Sequence, residues 1–356
     1  MRNDPSVTVV VPAYNAGDTV VETLRTVSAQ THQALEIIVV DDGSTDHTAQ
    51  VVESYRSVEP RLRLIRQENG GVAAARNTGI KHATTRFIAP LDSDDLWHPT
   101  KLEKHMSALQ KKPDAAFVYS PFRILNGDGR IIGNHPFFAF SGRVFYRQLF
   151  FNMVGNGSGM TFRKDVALAV GGYDPSLREA GLQGCEDWLL QMLMSIDHEV
   201  AHVPEYLIGY RKVPGAMSSD TNRMWRSRIM ATDILAQYAP PSARDLLASA
   251  KLSFSLRLTL QSLRKSDPRQ VIDTVGNLLR RGVTPQVVVE LLEAVSRSRR
   301  AKARNGTPGA PFKDLNPTQR AKDHLSPYTL KLIERLRAAD EAPDVAAQPL
   351  KVAARA

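Results

Sequence analysis

One cysteine in 356 residues, Cys185, leaves no intrachain disulfide to be made and suits a reducing compartment. No run approaches the roughly 18 consecutive apolar residues of a spanning helix, so any contact with a membrane is expected to be peripheral. The opening residues, Met1-Arg2-Asn3-Asp4-Pro5, lead straight into a strand-like run and lack the apolar stretch of a signal peptide. A cytoplasmic chain is expected, at most held on the inner face of the cell membrane. Zinc-finger spacing and basic stripes interleaved with aromatics are missing too, and no nucleic-acid partner is expected. What is present, 42% hydrophobic and 23% charged residues, supports one core of about 200 to 250 residues plus a smaller unit. The formal net charge of +9 is uneven, with aspartates crowding the early chain and basic residues the later part. That asymmetry favours an anionic partner.

Val7 to Val11 is a continuous β-branched run that ends in Pro12-Ala13-Tyr14-Asn15-Ala16-Gly17. It reads as a parallel strand buried on both faces, with a loop at its carboxyl end. Thr19 to Gln30 has helical spacing and Leu35 to Val40 is a second buried strand, which completes a βαβ unit. The second strand ends in Asp41-Asp42-Gly43-Ser44-Thr45-Asp46, without the glycine pattern of a dinucleotide or phosphate loop. Carboxylates here suit hydrogen-bond donors, such as a pyrimidine imide N–H or ribose hydroxyls, while Asp46 caps a helix from Thr48 to Arg56. Leu62 to Arg66 gives a third strand, followed by Asn69-Gly70-Gly71 and a helix from Val72 to His82. Arg76 on that helix either faces solvent or pairs with the aspartates or a diphosphate.

The fourth strand, Arg86 to Leu91, stops in Asp92-Ser93-Asp94-Asp95. Three carboxylates within four residues concentrate negative charge where open α/β folds bind ligands. A divalent cation shared with a substrate's phosphates compensates such a cluster; capping of the helix after Trp97-His98-Pro99-Thr100 is the alternative.

Taken together, Pro12-Ala13-Tyr14-Asn15, Val40 to Asp46, Asn69-Gly70-Gly71 with Ala75-Arg76-Asn77 and Gly79, and Leu91 to Asp95 resemble the motifs of the family 2 glycosyltransferases, in the same order and spacing. The resemblance implies a GT-A nucleotide-diphospho-sugar transferase fold, α/β with a mostly parallel central sheet, and an inverting hexosyl- or N-acetylhexosaminyltransferase of bacterial type. It implies that Pro12, Tyr14 and Asp42 surround the base, with Asn15, Arg76 and Ser93 also on the donor. By the same resemblance, Asp92 lies near the ribose or metal, and Asp94 binds the Mn2+ or Mg2+ that bridges the diphosphate.

Further along, Phe122 to Ile132 around Asn126-Gly127-Asp128-Gly129 reads as a hairpin, and Phe137 to Phe140 either packs as core or lines an acceptor. Glu186-Asp187-Trp188 opens a helical pattern, and acids there suit the helix dipole in any case. In the family such a triplet supplies the catalytic base: by that resemblance Asp187 is the base, Glu186 a neighbouring acceptor contact or acidic support, and Trp188 part of the sugar-binding wall. Single displacement is favoured because no further nucleophile is evident, Cys185 having its thiol pKa raised by adjacent acids. The chain keeps Tyr210-Arg211, with Arg211 a candidate acceptor or sugar contact, but has Lys212-Val213-Pro214 where the family often has a histidine, so Arg211 or Lys212 either neutralises the diphosphate instead or is an ordinary surface cation.

Residues 1–220 thus form the expected transferase domain, with a nucleotide half to about 120 and an acceptor half beyond it. From Met224 the pattern turns helical, with helices at Met224 to Tyr238, Ser242 to Arg264, Pro268 to Arg281 and Pro285 to Arg300. They make an all-helical extension over 221–300. Arg297, Arg299, Arg300, Lys302 and Arg304 form a basic run for an anionic membrane or a solvated helix end. A linker over 301–316, a helix over 317–338 and a disordered tail over 339–356 close the chain. The expected partners are a nucleotide-sugar donor, UDP-sugar first, and a glycan or lipid-linked acceptor. Nucleotide transfer and noncatalytic glycan or nucleotide binding are the alternatives.

Overall fold

The computed structural model of the chain describes residues 6–136, 138–212, 219–262, 309–314, 316–318 and 327–342. Its first part runs β1 (Val7–Ala13), α1 (Val20–Ser28), β2 (Leu35–Asp41), α2 (Thr48–Tyr55), β3 (Leu62–Arg66), α3 (Val72–His82) and β4 (Phe87–Pro90). Then come β5 (Leu96–Trp97), α4 (Lys101–Lys111), β6 (Ala115–Tyr119) and the hairpin β7 (Phe122–Leu125) and β8 (Ile131–Asn134). There follow α5 (Phe145–Phe150), β9 (Met160–Arg163), α6 (Lys164–Ala169), α7 (Ser176–Glu179), α8 (Glu186–Asp197), β10 (Glu199–His202) and β11 (Ile208–Arg211). The last described helices are α9 (Thr221–Leu235), α10 (Arg244–Ser262) and α11 (Pro327–Asp340).

Seven strands make the main sheet in the order β10-β6-β9-β4-β1-β2-β3. β4, β1, β2 and β3 run parallel, as do β10 and β6, and β9 is inserted antiparallel between the two groups. The continuous β-branched runs are explained by the layers on either side. Val10, Ile38, Val40 and Ile88 face one apolar cluster with α3 and α8, while Val7, Val9, Val11, Ile37 and Val39 face another with α1, α2 and α4. Both alternating sets of side chains are therefore buried, and every position is free to be apolar. A second sheet, β5-β11-β7-β8, stands beside the first and contains the hairpin expected over Phe122 to Ile132.

Packing of α3 on β1 is close at Gly79, where an added Cβ would press into both methyl groups of Val10. Gly79→Ala is therefore expected to lower stability by about 1 to 3 kcal/mol through overpacking, read as a reduced urea midpoint. An unchanged midpoint would mean that α3 shifts freely.

The carboxyl-terminal elements differ from a separate extension. Ala231 and Leu235 of α9, Leu247, Ala250 and Phe254 of α10 and Leu336 of α11 join the same apolar cluster as Trp188 and Leu189. α11 is fastened by Asp340, whose carboxylate accepts from the Tyr146 amide and from Arg147 Nε, both at 2.6 Å. The far end of the expected linker is also structured: Pro311 bridges Arg130, and Phe312 is buried beside Leu96 and Leu125. The hydrophobic side chain of Phe312 and the open edge of β8 explain this docking. The helices expected at Pro268 to Arg281 and Pro285 to Arg300, the basic run from Arg297 to Arg304 and most of the expected tail lie outside the described residues. Among the described residues, no helix is long and apolar enough to cross a membrane.

Candidate active site

The carboxyl ends of β1, β2 and β4 open into a cavity of about 840 Å³. It brings together Pro12, Tyr14, Asn15, Asp42, Arg76, Asp92, Ser93, Asp94, Glu186, Asp187 and Arg211. Residues far apart in sequence meet here because parallel strands deliver their following loops to one edge.

At the β1 and β2 end, Tyr14 stands half-exposed on the rim. Asn15 adopts a left-handed φ of 48°, which asparagine tolerates, and ties the two loops together. Its amide donates to Ser44 Oγ at 3.0 Å, and its Oδ1 accepts from the Thr45 amide at 2.9 Å. Asp42 is less available than the sequence suggested. Its Oδ1 accepts from Gln67 Nε2 at 2.7 Å and the Gly70 amide at 2.8 Å, and its Oδ2 from the Gly71 amide at 2.7 Å. The carboxylate braces the Gly70-Gly71 turn.

The aspartate loop after β4 divides its carboxylates between two directions. Asp95 turns inward and is fully buried, accepting from Ser158 Oγ at 2.6 Å and from the Arg211 amide at 2.9 Å. Burial, with Asp94 and Asp92 beside it, holds its pKa well above the usual carboxylate range. Ser158 Oγ in turn accepts from the Asp92 amide at 3.0 Å, so one hydroxyl fixes both ends of the loop. Asp92 and Ser93 line the cavity, as does Asp94. α4 begins at Lys101 with no side-chain cap, so the aspartates do not act as its caps.

Among the described residues no side chain donates to Asp94 or pairs with it directly; burial, then Asp92, push its pKa up to about 6, while its own amide and the more distant charge of Arg211 act in the opposite direction. Among the described residues no three acidic, histidine or cysteine groups converge to hold a metal unaided. A carboxylate outside any direct ion pair among the described residues, opening on a cavity, nevertheless fits a divalent cation that takes its other ligands from a substrate's phosphates and water. Asp92 is differently placed. Its Oδ1 lies 2.5 Å from Arg76 Nη2, which makes it a paired carboxylate before any cation arrives.

Arg76 is the centre of the acidic wall. It is buried, reaches Glu186 Oε1 at 3.3 Å with Nη1, and has its guanidinium over the Tyr173 ring at 5.2 Å. Glu186 Oε2 also accepts from the Gly184 amide at 2.8 Å. Asp187 follows in the first turn of α8, with Oδ1 accepting from the Trp188 amide at 2.7 Å. Burial first, then Glu186, raise the Asp187 pKa to about 6, while Arg76 acts in the opposite direction.

Two expected contacts are corrected. Trp188 does not line the cavity: it is 1% exposed, donates from Nε1 to Gln148 O at 3.4 Å, and packs under Arg228 and against Phe254. One residue past Asp187 is about 100° further round the helix, which turns the indole into the core. Arg211 reaches the cavity but its guanidinium holds the scaffold rather than a diphosphate. Its Nε donates to Asp94 O at 2.8 Å, its Nη2 to Glu22 Oε2 at 2.6 Å, and its Nη1 to Gly127 O in the hairpin. Cys185 is buried and burial pushes its thiol up to about 11, which leaves it unreactive.

Sequence reasoning missed Ser158, although Asn156-Gly157-Ser158-Gly159 carried a signal. A Cβ on Gly157 would lie 2.5 Å from Arg76 Nη2, so only a glycine permits this approach. Arg178, also on the cavity wall, lies in the single-turn helix α7, whose short sequence gave no signal at all.

Residues 8–169 match the family model described as glycosyl transferase family 2. A Bacillus subtilis (strain 168) glycosyltransferase, TuaG, provisionally named for teichuronic acid biosynthesis, is 37% identical over 126 residues, which are 35% of this chain and 50% of that protein. The chain therefore spans about half the length of this curated relative. TarS 1–349 of S. aureus, solved with UDP-GlcNAc, superposes with a TM-score of 0.57 at 18% identity over 84% of this chain and 88% of that one. The mannosyltransferase PcManGT of Pyrobaculum calidifontis, solved with GDP-Man and Mn2+, gives a TM-score of 0.55 at 20% identity over 85% of this chain and 87% of that one. The two solved structures share the fold, a mixed sheet flanked by helices that matches the GT-A nucleotide-sugar transferase architecture.

Proposed function

We propose that the chain, whose residues 8–169 match the model of glycosyl transferase family 2, moves a sugar, with inversion, from a UDP-sugar to a hydroxyl of a glycan or lipid-linked acceptor. The observation that carries this reading is one cavity with a carboxylate of raised pKa, Asp94, on the donor side and a second, Asp187, at the start of α8. Inverting transfer needs two kinds of assistance, at the leaving diphosphate and at the attacking hydroxyl.

Asp94, with Asp92 beside it, would hold Mn2+ or Mg2+ against the diphosphate. A bound cation there supplies charge neutralisation for the departing nucleotide. Pro12, Tyr14 and Asn15 border the nucleotide end, and Arg76 holds Asp92 in place. Asp187 Oδ2, which accepts no hydrogen bond among the described residues, takes the proton of the acceptor hydroxyl as that oxygen attacks the anomeric carbon. Glu186 is held by Arg76 and the Gly184 amide, so it shapes the wall beside the base. Release of a nucleoside diphosphate, not pyrophosphate, separates this chemistry from nucleotide transfer.

Calorimetric titration of UDP with and without Mn2+ tests the donor site. Binding is expected to need the metal and to weaken by about tenfold or more in Asp94→Asn, which loses one of the few carboxylate ligands such an ion uses. Binding indifferent to both metal and Asp94 would sink the reading.

A further inference from the structure

A side chain from the other half of the molecule closes the nucleotide end of the cavity. Arg178, on α7, crosses the chain at Gly71: a Cβ there would lie 2.5 Å from Arg178 Cδ, and the Gly71 φ of 85° itself favours glycine. The guanidinium then clasps Asn69, with Nη1 donating to its carbonyl at 3.0 Å and Nη2 to its Oδ1 at 2.5 Å. The same turn holds Asp42 through the Gly70 and Gly71 amides. Arg178, Asn69 and Asp42 are thus a single stack on the cavity wall.

The hydrogen-bonding character of that wall follows from counting. Asp42, the carboxylate suited to a base N–H, already accepts three hydrogen bonds and has room for about one more. Arg178 has the opposite balance. A guanidinium carries five donors and no acceptor, and Asn69 takes two of them. No carboxylate pairs with it among the described residues, so its charge is not neutralised locally, and a bond from it to a neutral carbonyl is charge-assisted.

We propose that Arg178 reads the C4 carbonyl of the base, so that this site selects uracil over cytosine. This rests on the UDP-sugar reading above and adds the residue that selects the base. The two bases are nearly the same size: uracil presents a C4 carbonyl and an N3–H where cytosine presents an amino group and a bare ring nitrogen, and a guanidinium reads the first of these differences as a carboxylate reads the second. Against the guanidinium, the amino group sets donor against donor and leaves both unpaired. Tyr14, half-exposed on the rim, offers a ring face that does not distinguish the two.

The test titrates UDP and CDP, each with Mn2+, into the full chain and its Arg178→Ala and Arg178→Gln variants, with thermal melts to confirm folding. The wild type is expected to prefer UDP by about tenfold to a hundredfold, the worth of one hydrogen bond to a charged group. Arg178→Ala should weaken UDP by most of that factor and leave CDP unchanged, with Arg178→Gln between the two. If Arg178 only braces the Asn69 turn, both nucleotides weaken together and the preference survives, which overturns the proposal. Equal binding of UDP and CDP by the wild type overturns it as well. Binding of neither nucleotide instead defeats the nucleotide-sugar reading, and the selection falls with it.

Discussion

Asp187→Asn is expected to lower kcat by about a hundredfold to ten-thousandfold, the range that a positioned general base supplies. The affinity for UDP with Mn2+ should stay within about twofold, since the carboxamide has nearly the same shape and the altered group faces the acceptor. Asp187 is favoured over its neighbour on geometry. Both Glu186 oxygens are engaged, one by Arg76 and the other by the Gly184 amide, whereas Asp187 commits only Oδ1. The pH profile carries an independent signature. A base works ionised, and with a pKa of about 6 transfer should rise through pH 6 and level off above it. Asp94 titrates in the same range, so kcat must be measured at saturating donor and metal to separate the two groups. Retention of transfer within about tenfold in the asparagine variant would remove Asp187 as base.

Legibility in the sequence followed the range of the interactions involved. The β-branched runs at Val7 and Leu35 announced strands covered on both faces, because local composition reports burial directly. Strand ends then gave the cavity wall, since in a parallel sheet a strand's end and a site's edge are the same place. Side-chain direction was another matter. Asp94 and Asp95 are adjacent and identical in type, yet one opens on the cavity and the other is buried against Ser158, a partner 63 residues away. Trp188 looked like a sugar platform because aromatic residues serve in both places; Phe254 and Arg228, which cover it, belong to helices far downstream. Arg211 was legible as a cation near the diphosphate end, but its three partners come from Glu22, Asp94 and Gly127. No spacing rule relates those positions, so its clamping role could not be foreseen.

Arg76→Met tests whether the two sides of the cavity are held by one charge. The arginine is buried between Asp92 of the aspartate loop and Glu186 of α8, and burial works against its charge while Asp92, Tyr173 and Glu186 favour it. Methionine fills similar volume but leaves Asp92, Glu186 and Asp187 without a cation, and removing one partner of a buried ion pair typically costs about 3 to 5 kcal/mol. The carboxylates can relieve part of this by taking up protons. Arg76 lowers the pKa of Asp187, so its loss should move that pKa above 6, and the rising limb of the kcat profile should shift to higher pH. Stability of the variant should therefore improve as pH falls towards 5, opposite to the usual behaviour of a paired carboxylate. Glu186→Gln in the same background removes one of the stranded charges and should restore part of the stability, the non-additivity expected of contacting residues. A variant with unaltered unfolding and an unshifted pH profile would show that Asp92 and Glu186 are held independently, and that Arg76 does not join the donor and acceptor sides.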